Sequence, residues 1–386
     1  MDTWRYIKED KVSADYGLAT DEFLMNAYSN PSEPNPEMDS KEQLVPTNEN
    51  ATLRLYTYRD YCTLVGRFQN IHAELDLDNI KKTGCQFSRR LTGGGAIIMG
   101  QGQLGLCLAT ANTFGSENTR TLYHLFSAPV LAALKDFGIE AKFRGKNDLE
   151  VAGKKIAGLG IHVNPFGAIQ FHTSLLVDLD ISVMLNVLNI PLQKIGDKSK
   201  IHKVEQRITT ISKELNRQVT VEEVRELVKF YFEKQFKIKF QEKALTKKEQ
   251  NEIEKLAKEK YRNEDWLFQN SPQADMTGMG LKKTPAGLLR TYVALKGEII
   301  KSVLITGDFI EQEKLFKYIE AQLKWSALDK EQILKVIQKA FLKFSESTVG
   351  LSERAVFHSI WTAAMAAMKE VQYTYEGSCY YPDSSS

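Results

Sequence analysis

The sequence predicts an α+β fold in two units, and three observations carry that reading. Between residues 52 and 177, short apolar runs of strand length alternate with glycine-rich turns. Amphipathic runs of helix length interleave with them at 15–28, 119–137 and 220–236. A Lys/Glu-rich stretch at 246–262 then precedes a second set of strands, 287–296 and 299–306, followed by two helical runs. A length of 386 residues suits two domains of roughly 100–200 residues each.

Taken in order, residues 4–7 read as a short strand and 15–28 as an amphipathic helix. Residues 30–50 hold four of the ten prolines, Pro31, Pro34, Pro36 and Pro46, which remove backbone donors and predict a long surface loop. Residues 52–58 alternate apolar and polar, as a half-buried strand does, and a second apolar run at 62–65 ends in Gly66. A helix over 75–83 stops at Gly84, a strand at 86–88 leads into the Arg89–Gly95 segment, and the apolar runs 96–99 and 106–109 read as two buried strands around a glycine-rich turn at 100–105. The helix 119–137 ends at Gly138. Strands at 148–151 and 155–162 flank Ala152-Gly153 as a hairpin, and 170–177 is a further strand. A short helix is expected at 183–189. Thr220 with Glu223 and Thr246 with Glu249 stand in capping-box register at the starts of two later helices. Helices are expected at 311–323, 330–344 and 355–371, and a mobile tail at 377–386. The predicted division is a larger domain at 1–245, a helical connector at 246–262, a small α+β domain at 263–345 and a terminal helix with its tail at 346–386.

Composition narrows the function classes. With 42% hydrophobic and 26% charged residues the chain can bury a core, which argues against general disorder. Fifty-one Lys+Arg against 49 Asp+Glu leave a net charge of +2, so a broadly basic nucleic-acid binder is not expected. No apolar stretch is long enough for a membrane span, and the first residues lack the apolar core of a signal peptide. Four cysteines without CxxC spacing and six scattered histidines give no zinc pattern. The expectation is a reduced, cytoplasmic protein that meets any charged partner through a local patch.

Two motifs point to chemistry. The first is Arg89-Arg90-Leu91-Thr92-Gly93-Gly94-Gly95-Ala96. Three glycines let a backbone approach a ligand where side chains would clash, and arginines hold phosphate or carboxylate by paired hydrogen bonds. Alone, such a run is equally compatible with a flexible turn. It is neither a Walker loop nor a GxGxxG fingerprint. The second is Lys146-Asn147-Asp148-Leu149, then Gly153-Lys154-Lys155-Ile156-Ala157-Gly158. Strand alternation puts Lys155 and Ala157 on one face and Ile156 on the other. A lysine on the inner face of a sheet is costly to bury without an anion, whereas at a hairpin tip it would merely be solvated.

Together, and at about fifty residues' separation, these motifs resemble lipoate–protein ligases, a family related to biotin ligases and octanoyltransferases. Further matches fall in order: Thr63–Asn70, reading TLVGRFQN with Arg67 inside it; the strand Phe171-His172-Thr173-Ser174-Leu175-Leu176; Arg207-Ile208-Thr209; and Asn263-Glu264-Asp265-Trp266. The resemblance implies a mixed or antiparallel sheet flanked by helices with a small α+β accessory domain. It implies two steps, in which lipoate and ATP give lipoyl-AMP and pyrophosphate, and the adenylate then acylates a lysine. The acceptor would be a lipoyl-domain protein: a 2-oxoacid dehydrogenase E2, the glycine cleavage H protein, or an H-like protein. Lipoate or octanoate is the acyl substrate, and neither nucleic acid nor membrane is a partner. In this reading Lys155 is catalytic and contacts acyl oxygen and phosphate. Gly93, Gly94, Gly95 and Ala96 lie along the adenylate, with Arg89, Arg90 and Thr92 on its phosphate side. Asn147 and Asp148 position the nucleotide, and Asp148 holds Mg²⁺. Arg67 belongs to the lipoyl pocket wall, and Ala157, Gly158, His172, Ser174 and Arg207 complete the site.

The chain departs from the family after its GGGA motif. Where a His-Asp pair and Gly-Asn are usual, it has Met99, Gly100, Gly102 and Gln103. Three alternatives remain at this level. One is an ATP-independent octanoyl or lipoyl transferase, which needs a cysteine thioester. The others are a biotin ligase and a non-catalytic acyl- or adenylate-binding protein.

Overall fold

A computed structural model describes residues 2–29, 50–111, 119–144, 147–189 and 206–375. The proline-rich segment, Lys146, the residues before Gln206 and the last eleven residues lie outside these. The chain divides into two compact units. The first comprises Met1–Val65, Glu74–Thr92 and Ile97–Leu267, and the second Gly66–Ala73, Gly93–Ala96 and Phe268–Ser386.

The first unit is built on an eight-stranded mixed sheet. Its strands are β1 (Thr3–Val12), β2 (Ala51–Tyr58), β6 (Gln103–Ala111), β7 (Lys142–Arg144), β8 (Asp148–Val151), β9 (Lys154–Val163), β10 (Ala168–Leu176) and β11 (Lys239–Glu242), in the order β11-β1-β2-β6-β10-β9-β8-β7. β1 runs parallel to β11 and β2, and the remaining pairs are antiparallel. A three-stranded sheet, β4-β3-β5, is formed by β3 (Cys62–Val65), β4 (Gln86–Arg89) and β5 (Ile97–Met99). The mixed sheet with flanking helices agrees with the sequence reading.

Period-two alternation gives the large sheet two apolar faces. One carries Leu53, Leu106, Leu108, Leu159, Phe171 and Leu175 against the helices Thr119–Asp136 and Val221–Phe236. The opposite face, with Tyr56, Tyr58, Cys107 and Ala109, packs with the helix Ala14–Asn26 and with Leu64 and Met99 of the small sheet. The helix at 221–236 begins with the expected capping box of Thr220 and Glu223. Thr246 and Glu249 form a second one. Glu249 also meets Arg5 at 2.5 Å, both nearly fully buried, so the Lys247–Leu256 helix is fastened to β1.

The second unit has a four-stranded antiparallel sheet, β12 (Gly278–Thr284), β13 (Gly287–Lys296), β14 (Ile299–Gly307) and β15 (Ser326–Ala327), in that order. β12 has no counterpart among the strands read from sequence. Its Gly-Met-Gly-Leu-Lys-Lys-Thr pattern spaces two glycines where apolar residues would signal a buried face. The helices Glu313–Leu323, Lys330–Lys343 and Glu353–Tyr375 share one core with this sheet, through Leu315, Phe316, Ile319, Ile337, Val356 and Ile360. The C-terminal helix lies directly on β12, because a Cβ on Gly278 would stand 2.0 Å from the Ala363 carbonyl oxygen and one on Gly280 2.2 Å from that of Ser359. Thr291 and Ser359 hydroxyls meet at 2.7 Å in the same layer. Among the described residues no helix is long and apolar enough to cross a membrane.

That contact makes a prediction. Gly280→Ala should lower the stability of the second unit by about 1–3 kcal/mol, the usual cost of forcing extra volume into a packed layer. Leu342→Ala, at a position 82% exposed, should leave it unchanged. Chemical denaturation followed by circular dichroism reads both, and a wild-type midpoint for Gly280→Ala would refute the close packing.

Candidate active site

The hairpin β8–β9 presents Lys155. It turns through Ala152 and Gly153, both with positive φ, 47° and 82°, the backbone that a two-residue hairpin loop demands. Next to this turn the register shifts between Leu149 and Glu150, so that Ile156 and Ala157 both fall into the core below the sheet. The bulge corrects simple alternation. Ala157 is a core residue, and Lys155 shares its face with Gly158 instead. The main chain of Lys155 is held on its other side as well, donating to the Arg207 carbonyl (2.8 Å) and accepting from Thr209 (2.9 Å). Arg207 therefore contributes backbone, and its exposed residue surface lies at the start of this segment.

Above Gly158 three polar groups converge. Lys155 Nζ pairs with Asp148 Oδ1 at 2.6 Å, each side chain about one-third exposed. Lys155 Nζ and Ser174 Oγ each lie 3.1 Å from where a Gly158 Cβ would stand. Cross-strand register makes a row of Asp148, Gly158, Ser174, Gly105 and Tyr56 across β8, β9, β10, β6 and β2. Asn147 braces the row, its side-chain amide donating to the Leu159 carbonyl (2.9 Å) while its own carbonyl accepts from the Leu159 amide.

One row further along, His172 stands opposite Gly160 and Cys107. Its ring lies over Gly160, where an added Cβ would be 2.2 Å from Nε2. Nε2 is 3.3 Å from Thr92 Oγ1, and Arg90 donates to Thr92 Oγ1 (3.4 Å) and to the Leu64 carbonyl (2.5 Å). Burial pushes the Arg90 pKa down to about 10. Burial, then the charges of Arg90 and His162, push His172 down to about 3, so its imidazole is neutral at working pH.

The structure gives several of the expected residues other partners. Arg89 is fully buried, its guanidinium donating to the carbonyls of Trp266 and Leu267, while the Trp266 indole N–H returns to the Arg89 carbonyl (3.0 Å). This arginine fastens the 264–267 turn, and its expected place on a phosphate gives way to that role. Gly93, Gly94, Gly95, Ala96 and Arg67 belong to the second unit. There Gly94 N–H donates to the Phe309 carbonyl (3.2 Å), and a Cβ on Gly93 would lie 2.3 Å from the same oxygen. The close approach that requires glycine at Gly93 is therefore to protein backbone. Arg67 stands 3.6 Å from Glu313, and its carbonyl accepts from Asn270.

Sequence reasoning missed Tyr56, Gly105 and Gly160, though glycines at 158 and 160 within one strand mark a face where something must approach closely. It also missed a cavity of about 680 Å³ bounded by Asp178–Ser182, Ile208–Thr210, Lys213 and Arg217. Ile208 bridges to Lys155, so this cavity adjoins the lysine's strand. Among the described residues no group of three or more His, Cys, Asp or Glu could hold a metal ion. Asp148 offers a single carboxylate, which suits Mg²⁺ only when nucleotide phosphates supply the other oxygens.

Comparison with known proteins settles the family. The lipoyl protein ligase A/B catalytic domain matches residues 16–233. The chain belongs to this family. It is 30% identical over 247 residues to the lipoate-protein ligase LplJ of Bacillus subtilis, covering 64% of this chain and 72% of the relative. It is 25% identical over 292 residues to the octanoyltransferase LipM of Halalkalibacterium halodurans, covering 69% and 99%. The P. falciparum LipL1 structure in complex with lipoate has the same fold, with a TM-score of 0.64 at 20% identity, over 89% of this chain and 98% of that one. Family membership thus makes the protein a ligase- or transferase-type enzyme and leaves the choice to the site.

Cysteine chemistry bears on that choice. Cys62 and Cys107 are buried and Cys85 half-buried. Burial drives the first two thiols well above their ordinary pKa and Cys85 up to about 11. Because the thiolate is the reactive form, alkylation of these three by iodoacetamide should be negligible at pH 7.5 in the native state. That of Cys85 should rise only as pH approaches 11. Peptide mass spectrometry checks this; rapid native labelling at neutral pH would contradict it.

Proposed function

We propose that the protein is an ATP-dependent lipoate–protein ligase. The observation that carries this is the Lys155 ammonium, held beside Asp148 and Ser174 over Gly158. A carboxylate must meet a triphosphate, two anions, and a fixed cation at their junction offsets the repulsion and the charge that develops in the transition state. In the first step a lipoate carboxylate oxygen attacks the α-phosphorus of ATP, and the bond to the leaving pyrophosphate breaks. In the second a neutral lysine amine of an acceptor lipoyl domain attacks the acyl carbon. The bond to AMP then breaks, an amide forms, and the amine gives up its proton.

Each neighbouring residue has a task in this reading. Lys155 contacts the acyl oxygen and the α-phosphate. Asp148 holds the ammonium in place and would hold Mg²⁺ jointly with nucleotide oxygens; bound there, the ion would neutralise phosphate charge. The cavity beside Ile208, whose wall carries Lys213 and Arg217 as well as Asp178 and Asp180, has a volume within the range of about 300–1,000 Å³ usual for ligand sites. It supports nucleotide binding next to Lys155. Against the transferase alternative stand the buried, high-pKa thiols of Cys62, Cys85 and Cys107, none of which suits a thioester carrier.

The purified protein with lipoate and MgATP should catalyse pyrophosphate exchange and add a lipoyl mass to an acceptor lipoyl domain. Lys155→Ala should slow exchange by about 10²–10³-fold, the usual loss on removing one electrostatic contact to a transition state, with an unchanged thermal midpoint. Replacing all four cysteines should leave transfer intact. Acyl transfer that needs no ATP and stops on cysteine removal would establish the transferase instead.

A further inference from the structure

We infer that His172 is a positioning residue that orients Arg90 through the Thr92 hydroxyl, and that the missing side chain at Gly160 is what allows it; the inference rests on the ligase reading for its substrate, the phosphate of the acyl-adenylate. The donors and acceptors fix one end of the chain. An arginine Nε–H can only donate, so Thr92 Oγ1 accepts from Arg90 at 3.4 Å. We assign the threonine hydrogen to His172 Nε2, 3.3 Å away, which leaves that nitrogen unprotonated and the ring proton on Nδ1.

The surroundings of the ring favour this state. The Nε2 end of the His172 ring stands over Gly160, and any Cβ there would displace it. The charged and titratable groups facing it are Arg90 and His162, with Cys107 opposite on β6 and the Arg54–Asp21 pair beyond Cys107. A second cation between Arg90 and His162 would be repelled, in keeping with the neutral imidazole. His172 is thus neither the general base nor the acid of the reaction. It completes a relay that holds a buried guanidinium in one orientation.

The test combines kinetics with a direct reading of the ring. In pyrophosphate exchange, Thr92→Val, His172→Ala and Gly160→Ala should each raise the KM for ATP about tenfold with kcat changed less than about threefold, a loss of binding shared by ground and transition states. His172→Gln, whose amide oxygen reaches the place of Nε2, should recover most of the loss. The double variant Thr92→Val/His172→Ala should be no worse than either single one, because both remove one interaction. Nitrogen-15 NMR of the wild-type imidazole should show the Nδ1-protonated neutral form throughout pH 5–8, with the Nε2 resonance shifted in Thr92→Val. A ring that protonates between pH 6 and 7, or an Nε2 signal indifferent to Thr92→Val, overturns the inference whether or not exchange is found. Multiplicative losses in the double variant also overturn it. Absence of exchange by the wild type, with the expected NMR, removes the ligase reading and leaves the relay standing.

Discussion

The site depends on one steric constraint, the absence of side chains at Gly105, Gly158 and Gly160 on a single face of the large sheet. A sheet face normally bristles with alternate side chains about 5 Å apart. Here three neighbouring positions are empty, and polar or aromatic groups from adjacent strands lie down into the space. Tyr56 covers Gly105, Lys155 and Ser174 flank Gly158, and His172 covers Gly160. Each of these groups is thereby held close to the sheet plane. An added methyl group at any of the three would meet a neighbour at 3.1 Å or less.

That face needs a stable support, and buried charge supplies it. Arg54 is wholly buried on the same face, bonded to Glu9 at 2.6 Å and Asp21 at 2.7 Å, while Tyr56 donates to Asp21. Burial alone would lower the Arg54 pKa, but the two carboxylates hold it firmly protonated. Breaking one partner of such a pair typically costs about 3–5 kcal/mol because the other charge is left bare. The network ties the Ala14–Asn26 helix to β2, and Arg5 with Glu249 ties the 247–256 helix to β1. Arg5, Arg54, Arg89 and Arg225 are all buried, whereas Lys155, paired with Asp148, stays about one-third exposed.

Most elements were legible because their signals are local. The capping boxes at Thr220 and Thr246, the glycine stop at Gly138 and the Ala152-Gly153 turn depend on a few adjacent residues, and each stands where the pattern put it. The meeting of Lys155, Asp148, Gly158 and Ser174 was legible as a family spacing. What escaped depends on tertiary context. A one-residue bulge sends Ala157 into the core, and nothing in Lys-Lys-Ile-Ala-Gly announces it. Arg89 and Arg90 are adjacent and chemically identical, yet their side chains leave the strand on opposite faces. One meets the carbonyls of Trp266 and Leu267, nearly 180 residues away, and the other meets Thr92. β12 was hidden for the same reason, since its glycines make sense only with the Glu353–Tyr375 helix upon them.

The turn from Met99 to Gln103 shows how a departure from a family pattern is absorbed physically. Met99 is 2% exposed and packs in the core with Tyr56 and Cys107, where an imidazole would need a polar partner. A Cβ on Gly100 would stand 2.9 Å from the Tyr61 ring, so a carboxylate side chain there and this tyrosine position exclude one another. Gln103 takes over the structural work, its amide donating to the Asp178 carbonyl while Asp178 N–H donates to the Gly102 carbonyl (2.8 Å). Asp178 in turn begins the wall of the cavity beside Ile208. The turn has thus exchanged ionisable side chains for a scaffold that shapes that wall. Charge at the site must then come from elsewhere, which concentrates the electrostatic burden on Lys155 and on an Arg90 held by the Leu64 carbonyl and Thr92.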